Sequence, residues 1–464
     1  MHNMQRILMA LAFCGSLVSA WTNFGGRRTQ NALRALSISQ NLAMSIEKSN
    51  FLNLQIAKKI VDSYETPLFV YDEDTLRSQA EKTLSFPNPF GLTVRYAMKA
   101  SPNAAILKIF SSMGLHIDAS SGYEVQRAMR AGIPASHISL SSQEFPKNFK
   151  EIYDLGIEFN ACSLHQLESF GKLFPGGKCG LRFNPGKGSG GTGKTNVGGP
   201  SASFGIWHEL KPQVKEIVAK YNIQVTRIHT HIGSGSDPSI WQNVAGMSLD
   251  LVKEFPEVKT LNLGGGYKVG RMSYETSTDI TSVGVPVKTA FEEFAKSTGR
   301  ELHLEIEPGT FLTANSGTLL CTAQDVVRTC SREEGGYTFI KVDSGMTEVL
   351  RPSLYGAQHP IVVLTDEDTE PDYESYVVVG HCCESGDLFT SKPGVPEELQ
   401  ERLLQKVKIG DLISIEGSGG YCSSMNTKNY NSFPEACEVM ITKEKEITLI
   451  RRRQTLDQIL ENEV

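Results

Sequence analysis

Apolar segments of strand length alternate with amphipathic segments of helix length from Thr93 onward. This alternation constrains the fold because parallel strands need long crossover connections, which helices such as 122–131 and 212–221 supply. Eight strands are predicted: Val94–Ala100, His116–Ser120, Ile138–Ser142, Glu158–Ser163, Gly180–Asn184, Arg227–Gly233, Thr260–Gly265 and Leu302–Pro308. The pattern predicts an α/β fold with a (β/α)8 barrel over residues 65–333.

Polar or glycine-rich residues end most of these predicted strands. They are Lys99, Asp118, Asn184, His231, the triplet Gly264, Gly265 and Gly266, and Glu307. In a barrel of this kind the carboxyl ends of all strands meet at one mouth, where active sites lie. The sequence therefore predicts one site built from these side chains.

The pattern changes after about Gly335. Short strands joined by turns are predicted at 337–342, 376–379, 411–415, 437–441 and 446–450, without long helices between most of them. A C-terminal β-domain over 334–464 is therefore expected, with an additional strand near 66–71 ahead of the barrel.

Composition excludes several functional classes. The net charge of −6 and the absence of basic clusters with interleaved aromatics argue against a nucleic-acid partner. No apolar run beyond the N-terminus approaches the length that spans a bilayer, so no membrane partner is expected for the mature protein. The nine cysteines show no metal-ligand spacing, and no metal site is predicted.

Residues 1–50 have the composition of a targeting leader. A basic residue, an apolar stretch and a small-residue cleavage site make 1–20 a signal peptide, and 21–50 is rich in Arg and Ser with Glu47 as its first carboxylate. This two-part arrangement resembles plastid leaders of algae with secondary plastids. A plastid location is expected, with a secretory or cytoplasmic location as the alternative and a helical extension as the other interpretation of 21–60.

Several motifs in order resemble fold-type III decarboxylases that depend on pyridoxal 5′-phosphate. They are YAMKA (96–100), HIDASSGYE (116–124), HIGSG (231–235), GGG (264–266), EPG (307–309), VDSGMTEVLRPSLYGA (342–357), CES (383–385) and GGY (419–421). Within this ornithine, diaminopimelate and arginine decarboxylase group, the diaminopimelate branch is the most similar. Ornithine and arginine enzymes usually carry Cys-Asp where this chain has Cys383-Glu384.

The resemblance implies a cofactor site in the barrel. Lys99 would form a Schiff base with pyridoxal phosphate, and Glu307 would keep the pyridine nitrogen protonated so that the ring accepts electrons. His231 would stack on the ring. The remaining cofactor-binding residues would be Asp118, Ser234, Gly264, Gly265, Gly266 and Tyr421.

The same resemblance implies that two subunits share each active site. Cys383 would protonate the carbon that loses CO2, Glu384 would meet the distal amine of the substrate, and Asp387 would support their loop. A homodimer is therefore expected. Arg351, Tyr355 and Tyr421 would bind a small amino-acid substrate.

Residues 188–195 match the phosphate-binding pattern GxxxxGK[ST] letter for letter. That motif requires a helix to begin at its lysine, but the sequence after Lys194 is rich in Gly, Pro and Ser. We therefore expect a loop over the barrel mouth and no ATP site.

The chain departs from the diaminopimelate pattern at three places. Thr310 stands where the family usually has Arg, His381 replaces a Pro, and residues 186–203 form a Gly-rich insertion followed by FGIWHE. The expected reaction is conversion of meso-2,6-diaminopimelate to L-lysine and CO2. Loss of an anion-binding Arg leaves D-lysine or D-ornithine as alternative substrates. A catalytically inactive partner-binding homologue and a racemase are the other possibilities.

Overall fold

A computed structural model describes residues 46–186, 198–231, 238–366, 368 and 370–464. The predicted leader lies outside the described residues up to position 45. The last residues of the predicted leader, however, contact a later part of the chain. The Ser49 hydroxyl donates to Glu416 Oε1 at 2.9 Å, and the Asn50 amide donates to Oε2 at 3.3 Å. Because the buried Glu416 carboxylate takes its donors from this segment, the fold begins before the predicted leader end at 50.

Strands and helices alternate through the first two thirds of the chain. The strands are β1 (Leu68–Asp72), β2 (Leu92–Ala97), β3 (His116–Ala119), β4 (Ile138–Leu140), β5 (Glu158–Ala161), β6 (Lys178–Asn184), β7 (Ile206–Trp207), β8 (Gln224–Thr230), β9 (Thr260–Asn262) and β10 (His303–Ile306). The helices are α1 (Leu54–Tyr64), α2 (Glu73–Leu84), α3 (Ala104–Ser112), α4 (Gly122–Arg130), α5 (Phe149–Asp154), α6 (Leu164–Leu173), α7 (Lys211–Tyr221), α8 (Pro238–Lys253) and α9 (Ile280–Thr298).

Among the described residues, eight of these strands close into a parallel barrel. Their order is β5, β4, β3, β2, β10, β9, β8 and β6, and pairing of β5 with β6 closes the ring. β7 pairs with the last two residues of β6, Phe183 and Asn184. The predicted (β/α)8 barrel is confirmed, and the carboxyl ends of its strands share one mouth.

A second sheet follows the barrel in sequence. Its elements are β11 (Gly317–Arg328), β12 (Thr338–Val342), β13 (Ile361–Val363), β14 (Tyr373–Val379), β17 (Arg402–Gln405), β18 (Leu412–Ile415), β19 (Cys437–Ile441) and β20 (Ile447–Arg451), while β15 (Ser391–Lys392) and β16 (Val395–Leu399) form a separate hairpin. Three short helices lie in the same part of the chain: α10 (Thr310–Thr313), α11 (Arg351–Tyr355) and α12 (Leu456–Leu460). The predicted C-terminal β-domain is present.

The boundary between the two domains lies earlier than the sequence predicts. β11 begins at Gly317 and pairs with β1, β12 and β18, so it belongs to the β-domain rather than to a barrel ending at 333. The N-terminal β1 completes this sheet between β11 and β19. The chain therefore enters the β-domain once before the barrel and again directly after it. No helix of the described part of the chain is long and apolar enough to cross a membrane.

Charged side chains fill the interior of the barrel below its mouth. Arg95 Nη2 lies 2.7 Å from Glu305 Oε1, and Arg227 Nε lies 2.9 Å from Glu305 Oε2. Both arginines also pair with Glu158. Because alternate residues of a strand share one face, Glu305 and Glu307 point into the same interior. The network thus supports the layer that carries Glu307.

We expect Arg95→Met to lower the free energy of unfolding by about 3 kcal/mol, the lower end of the range for breaking a buried ion pair, because buried Glu305 then keeps only Arg227 as a partner charge. Urea denaturation measures this loss. Exposed Arg328, paired with Glu374 at 2.8 Å, is the control. Arg328→Met should cost less than about 1 kcal/mol. An equally small loss for Arg95→Met would contradict a structural role for the network.

The same network should make the fold sensitive to acid. Burial opposes the charged form of Glu305, but Arg95 and Arg227 outweigh it and lower the pKa to about 2. An unfolded Glu has a pKa of about 4.3. The stabilisation is therefore complete above that value and is lost as the pH falls towards about 2.

Candidate active site

Lys99 lies directly beyond β2 in a short 3₁₀ turn, Met98–Ala100. The β-domain holds this turn: Ser424 Oγ donates to the carbonyl of Lys99 at 2.9 Å, and the Tyr421 amide donates to that of Ala100 at 2.8 Å. Desolvation lowers the pKa of Lys99, but Tyr421, Asp118 and Glu307 outweigh it and raise the pKa above its usual value. The amine therefore sits among the groups that the sequence places at the mouth.

Glu307 follows β10 and is held on both carboxylate oxygens. Asn262 Nδ2 donates to Oε1 at 2.7 Å, and His229 Nε2 lies 3.1 Å from Oε2. Burial would raise the pKa of Glu307, but His229, His231 and Arg182 hold it well below its usual range. The result is a buried, ionised carboxylate, which is the group needed to keep a heterocyclic nitrogen protonated.

The glycine triplet lies against the backbone of Glu307 and the side chain of His231. A Cβ at Gly265 would lie 2.2 Å from the Glu307 carbonyl oxygen and 3.6 Å from His231 Nε2. Gly264 has a φ of +72°, and a Cβ there would lie 2.8 Å from His231 Cβ. Only glycine permits this approach, which leaves an unhindered peptide surface beside the mouth. Ser234, the other predicted phosphate ligand, lies outside the described residues.

Half-buried His231 and buried Asp118 both lie in charged surroundings. Burial, Arg182 and Lys99 lower the pKa of His231 well below its usual value, so the imidazole is neutral and suited to stacking. Burial and Glu307 raise the pKa of Asp118 well above its usual value, against Lys99 and Arg182. The Ser139 hydroxyl donates to Asp118 Oδ1 at 3.4 Å.

Sequence reasoning missed three residues of this site: Arg182, His229 and Asn262. The positive charge of Arg182 lowers the pKa values of four site residues: Lys99, Asp118, His231 and Glu307. Its guanidinium lies 5.3 Å from the ring centre of Phe204. A signal for His229 was available, because it stands in β8 two residues before His231, and alternate residues of an extended chain point to the same side. Asn184, which the sequence places at the mouth, instead holds the backbone at Gly199. Its Nδ2 donates to the Gly199 carbonyl at 2.9 Å.

The predicted substrate residues lie at the border with the β-domain. Burial raises the pKa of Tyr421, while the charges of Lys99 and Arg351 oppose the rise. Tyr421 also has a φ of 58°, a strained conformation of the kind found at functional sites. Arg351 opens α11, and its guanidinium lies 5.9 Å from the ring centre of Tyr355.

Cys383 and Glu384 are exposed and form no hydrogen bond or ion pair with Lys99 or Glu307 among the described residues. Asp387 anchors their loop. Its Oδ1 accepts from the Met346 amide at 2.7 Å, and its Oδ2 accepts from the Cys382 amide at 2.9 Å. The Cys383 amide donates to Asn431 Oδ1 at 2.9 Å. A firmly held loop thus presents both side chains at the surface.

This donor set fits pyridoxal phosphate. The site offers an amine at Lys99, an ionised carboxylate at Glu307 and a neutral imidazole at His231. The glycine triplet at 264–266, called the glycine cradle below, offers unhindered backbone amides. Among the described residues there is no cluster that could hold a metal ion. The 188–195 segment lies outside the described residues.

Residues 76–314 match the family described as pyridoxal-dependent decarboxylase, pyridoxal binding domain. The match contains every barrel strand and the residues Lys99, His231 and Glu307. The chain belongs to this family. The pyridoxal-dependent decarboxylases are carboxy-lyases, and pyridoxal phosphate is the cofactor of this chain.

Relatives cover most of this decarboxylase. The diaminopimelate decarboxylase of Escherichia coli (strain K12) is 34% identical over 404 residues, which is 85% of this chain and 93% of that protein. A crystal structure of diaminopimelate decarboxylase has a TM-score of 0.82 at 31% identity and covers 89% of this chain and 97% of its own. The Helicobacter pylori enzyme complexed with L-lysine has a TM-score of 0.75 at 26% identity, with 87% and 98% covered. The resemblance to the diaminopimelate branch is confirmed.

We expect Gly265→Ala to weaken pyridoxal phosphate binding at least about tenfold, because the new methyl group collides with the Glu307 backbone. Cofactor affinity can be measured by absorbance after dialysis. Gly246→Ala in α8 is the matched control, since a Cβ there has nothing within 4 Å. Equal affinities for the two variants would show that the triplet does not face the cofactor.

Proposed function

We propose that this decarboxylase converts meso-2,6-diaminopimelate to L-lysine and CO2. The observation that carries the proposal is that Tyr421, whose amide binds the Ala100 carbonyl next to Lys99 at 2.8 Å, also interacts electrostatically with Arg351. One end of the site can therefore engage a substrate amine, while the other offers a cation to a second carboxylate. The similarity to diaminopimelate decarboxylases over most of their length supports the same substrate.

Each residue has a distinct role in this reaction. Pyridoxal phosphate supplies a protonated ring that accepts the electrons left when CO2 departs. Lys99 would anchor the cofactor, Glu307 would keep its ring nitrogen protonated, and neutral His231 would support the ring. The amides of the glycine triplet would hold its phosphate. Cys383 donates the proton that replaces CO2 on the substrate carbon.

The decisive experiment measures CO2 release from meso-diaminopimelate, D-lysine and D-ornithine side by side. We expect meso-diaminopimelate to have the highest kcat/KM. Faster release from D-lysine or D-ornithine would overturn the proposed substrate while leaving the decarboxylase chemistry in place.

A monocarboxylate substrate is the second candidate. It is favoured by Thr310, which opens α10 with an uncharged side chain where related enzymes carry Arg. A hydroxyl cannot replace the bidentate hydrogen bonds of a guanidinium to a carboxylate. The same CO2 assay discriminates between the two candidates.

We also propose that the enzyme works as a homodimer with shared active sites. Cys383 and Glu384 are exposed on a loop that Asp387 holds in place. A loop of this kind is suited to completing the site of a second subunit, and symmetric dimers are the commonest oligomers. Sedimentation should give twice the mass of the chain. A monomer that retained full activity would refute this arrangement.

For the N-terminal segment we propose a plastid leader. The support is compositional: an apolar stretch and a small-residue site, then a basic, acid-poor region. N-terminal sequencing of the protein isolated from its native cells should find a start after residue 20. An intact Met1 would contradict the proposal.

A further inference from the structure

Arg271 lies in the loop after β9 and is fixed against the β-domain. Its Nε donates to the Gly417 carbonyl at 3.0 Å. Gly417 has a φ of +66°, and a Cβ there would lie 2.9 Å from both Cγ and Cδ of Arg271. Position 417 therefore favours glycine, which lets the arginine cross close to the backbone. The crossing holds the guanidinium at the border between barrel and β-domain.

Two guanidinium groups have unused donors in this region. Arg271 Nη2 and Arg351 Nε are buried and have no hydrogen-bond partner among the described residues. Neither arginine forms an ion pair within that part of the chain. Burial and the neighbouring Arg351 lower the pKa of Arg271 to about 9. Two half-buried cations whose buried donors lack partners are costly unless an anion joins them.

The protein's own acids near Arg271 are already engaged. Glu275 Oε2 accepts from the backbone amides of Arg271 and Met272 at 2.9 and 3.3 Å. Glu416 binds the segment at Ser49 and Asn50. Burial raises the pKa of Cys422, so its thiol stays neutral. The anion that completes the pair must therefore come from outside the described chain.

We propose that Arg271 and Arg351 together bind the carboxylate at the far end of the substrate. Arg271 thereby supplies, from the loop after β9, the second guanidinium that Thr310 does not provide. The glycine triplet proposed for the cofactor phosphate lies beside His231 and Glu307. Arg271 instead contacts Gly417 of the β-domain and interacts electrostatically with Arg351 and Tyr421. This inference rests on the proposed function, and it removes the main argument for a monocarboxylate substrate.

The test uses two ligands that differ only in that carboxylate. L-lysine carries it and cadaverine does not. Binding of each to the dimeric holoenzyme is measured by calorimetry for wild type, Arg271→Met and Arg271→Lys. A charge-assisted hydrogen bond is lost in Arg271→Met, so the Kd for L-lysine should rise about 10- to 100-fold while that for cadaverine stays unchanged. Arg271→Lys should fall between the two, because it keeps the charge without the fork.

Three outcomes would overturn the inference. Equal weakening of L-lysine and cadaverine would make Arg271 a purely structural residue. Weaker binding of pyridoxal phosphate by the Arg271 variants, with L-lysine affinity retained, would place the phosphate at this pair. No change in any affinity would leave the pair without a ligand. Arg328→Met, an exposed replacement in the β-domain, should behave as wild type throughout.

The failure of this inference is distinguishable from failure of the proposed function. If wild type releases CO2 from meso-diaminopimelate but Arg271→Met keeps its L-lysine affinity, only the assignment of Arg271 is wrong. If wild type releases no CO2 from meso-diaminopimelate while Arg271→Met selectively loses L-lysine, the carboxylate site stands and the proposed substrate is wrong.

Discussion

Lys99→Ala should lower kcat/KM for decarboxylation by about 10⁴-fold or more, because covalent catalysis loses its anchoring amine. Lys99 is the lysine whose charge interacts with Asp118, Glu307 and Tyr421 together at the mouth. The variant should also lose the absorbance band of bound cofactor near neutral pH. Activity is measured as CO2 release, and cofactor content by spectroscopy on the purified protein.

Lys108→Ala provides the matched control. Lys108 belongs to the same strand and helix unit, on the exposed side of α3. It should keep both the absorbance band and the activity of wild type. A Lys99→Ala protein that retained the band would mean that another amine holds the cofactor, and the assignment of the mouth would then be wrong.

The barrel could be predicted from the sequence because its signal is local. Each strand is a short apolar run followed by an amphipathic helix. The polar residue at the end of the run can be identified from the sequence of the strand itself. Lys99 and Glu307 are found this way. Their roles needed more than position, since a lone lysine or glutamate at a strand end is usually a solvated or structural side chain.

The missed residues depend on contacts that are distant in sequence. Arg182 lies within β6, where the sequence shows only one polar residue in an apolar strand. Its place in the site becomes apparent once β6 is paired with β8. Arg271 lies in a loop, and its contact with Gly417 joins positions 146 residues apart. The predicted domain boundary differs from the observed one for a similar reason. No local sequence pattern assigns β11 to the β-domain, and only its pairing with β1 and β18 does so.

Cys383→Ala should slow turnover by about 10²- to 10⁴-fold, the range expected when a positioned proton donor is removed. Pyridoxal phosphate should stay bound, since Cys383 lies on an exposed loop outside the glycine cradle. CO2 release and cofactor absorbance measured on one preparation separate these two effects. Cys330→Ala, which removes another exposed thiol, should change neither.

Mixing the two inactive variants tests whether that loop serves the neighbouring subunit. If Cys383 acts across the interface, a Lys99→Ala subunit paired with a Cys383→Ala subunit contains one site with both groups intact. Random exchange of equal amounts should then restore about a quarter of wild-type activity, because half of the dimers are mixed and each has one complete site. If Cys383 acted within its own subunit, every site would lack one group and the mixture would stay inactive. Restored activity would therefore place the exposed thiol of Cys383 in the partner's site.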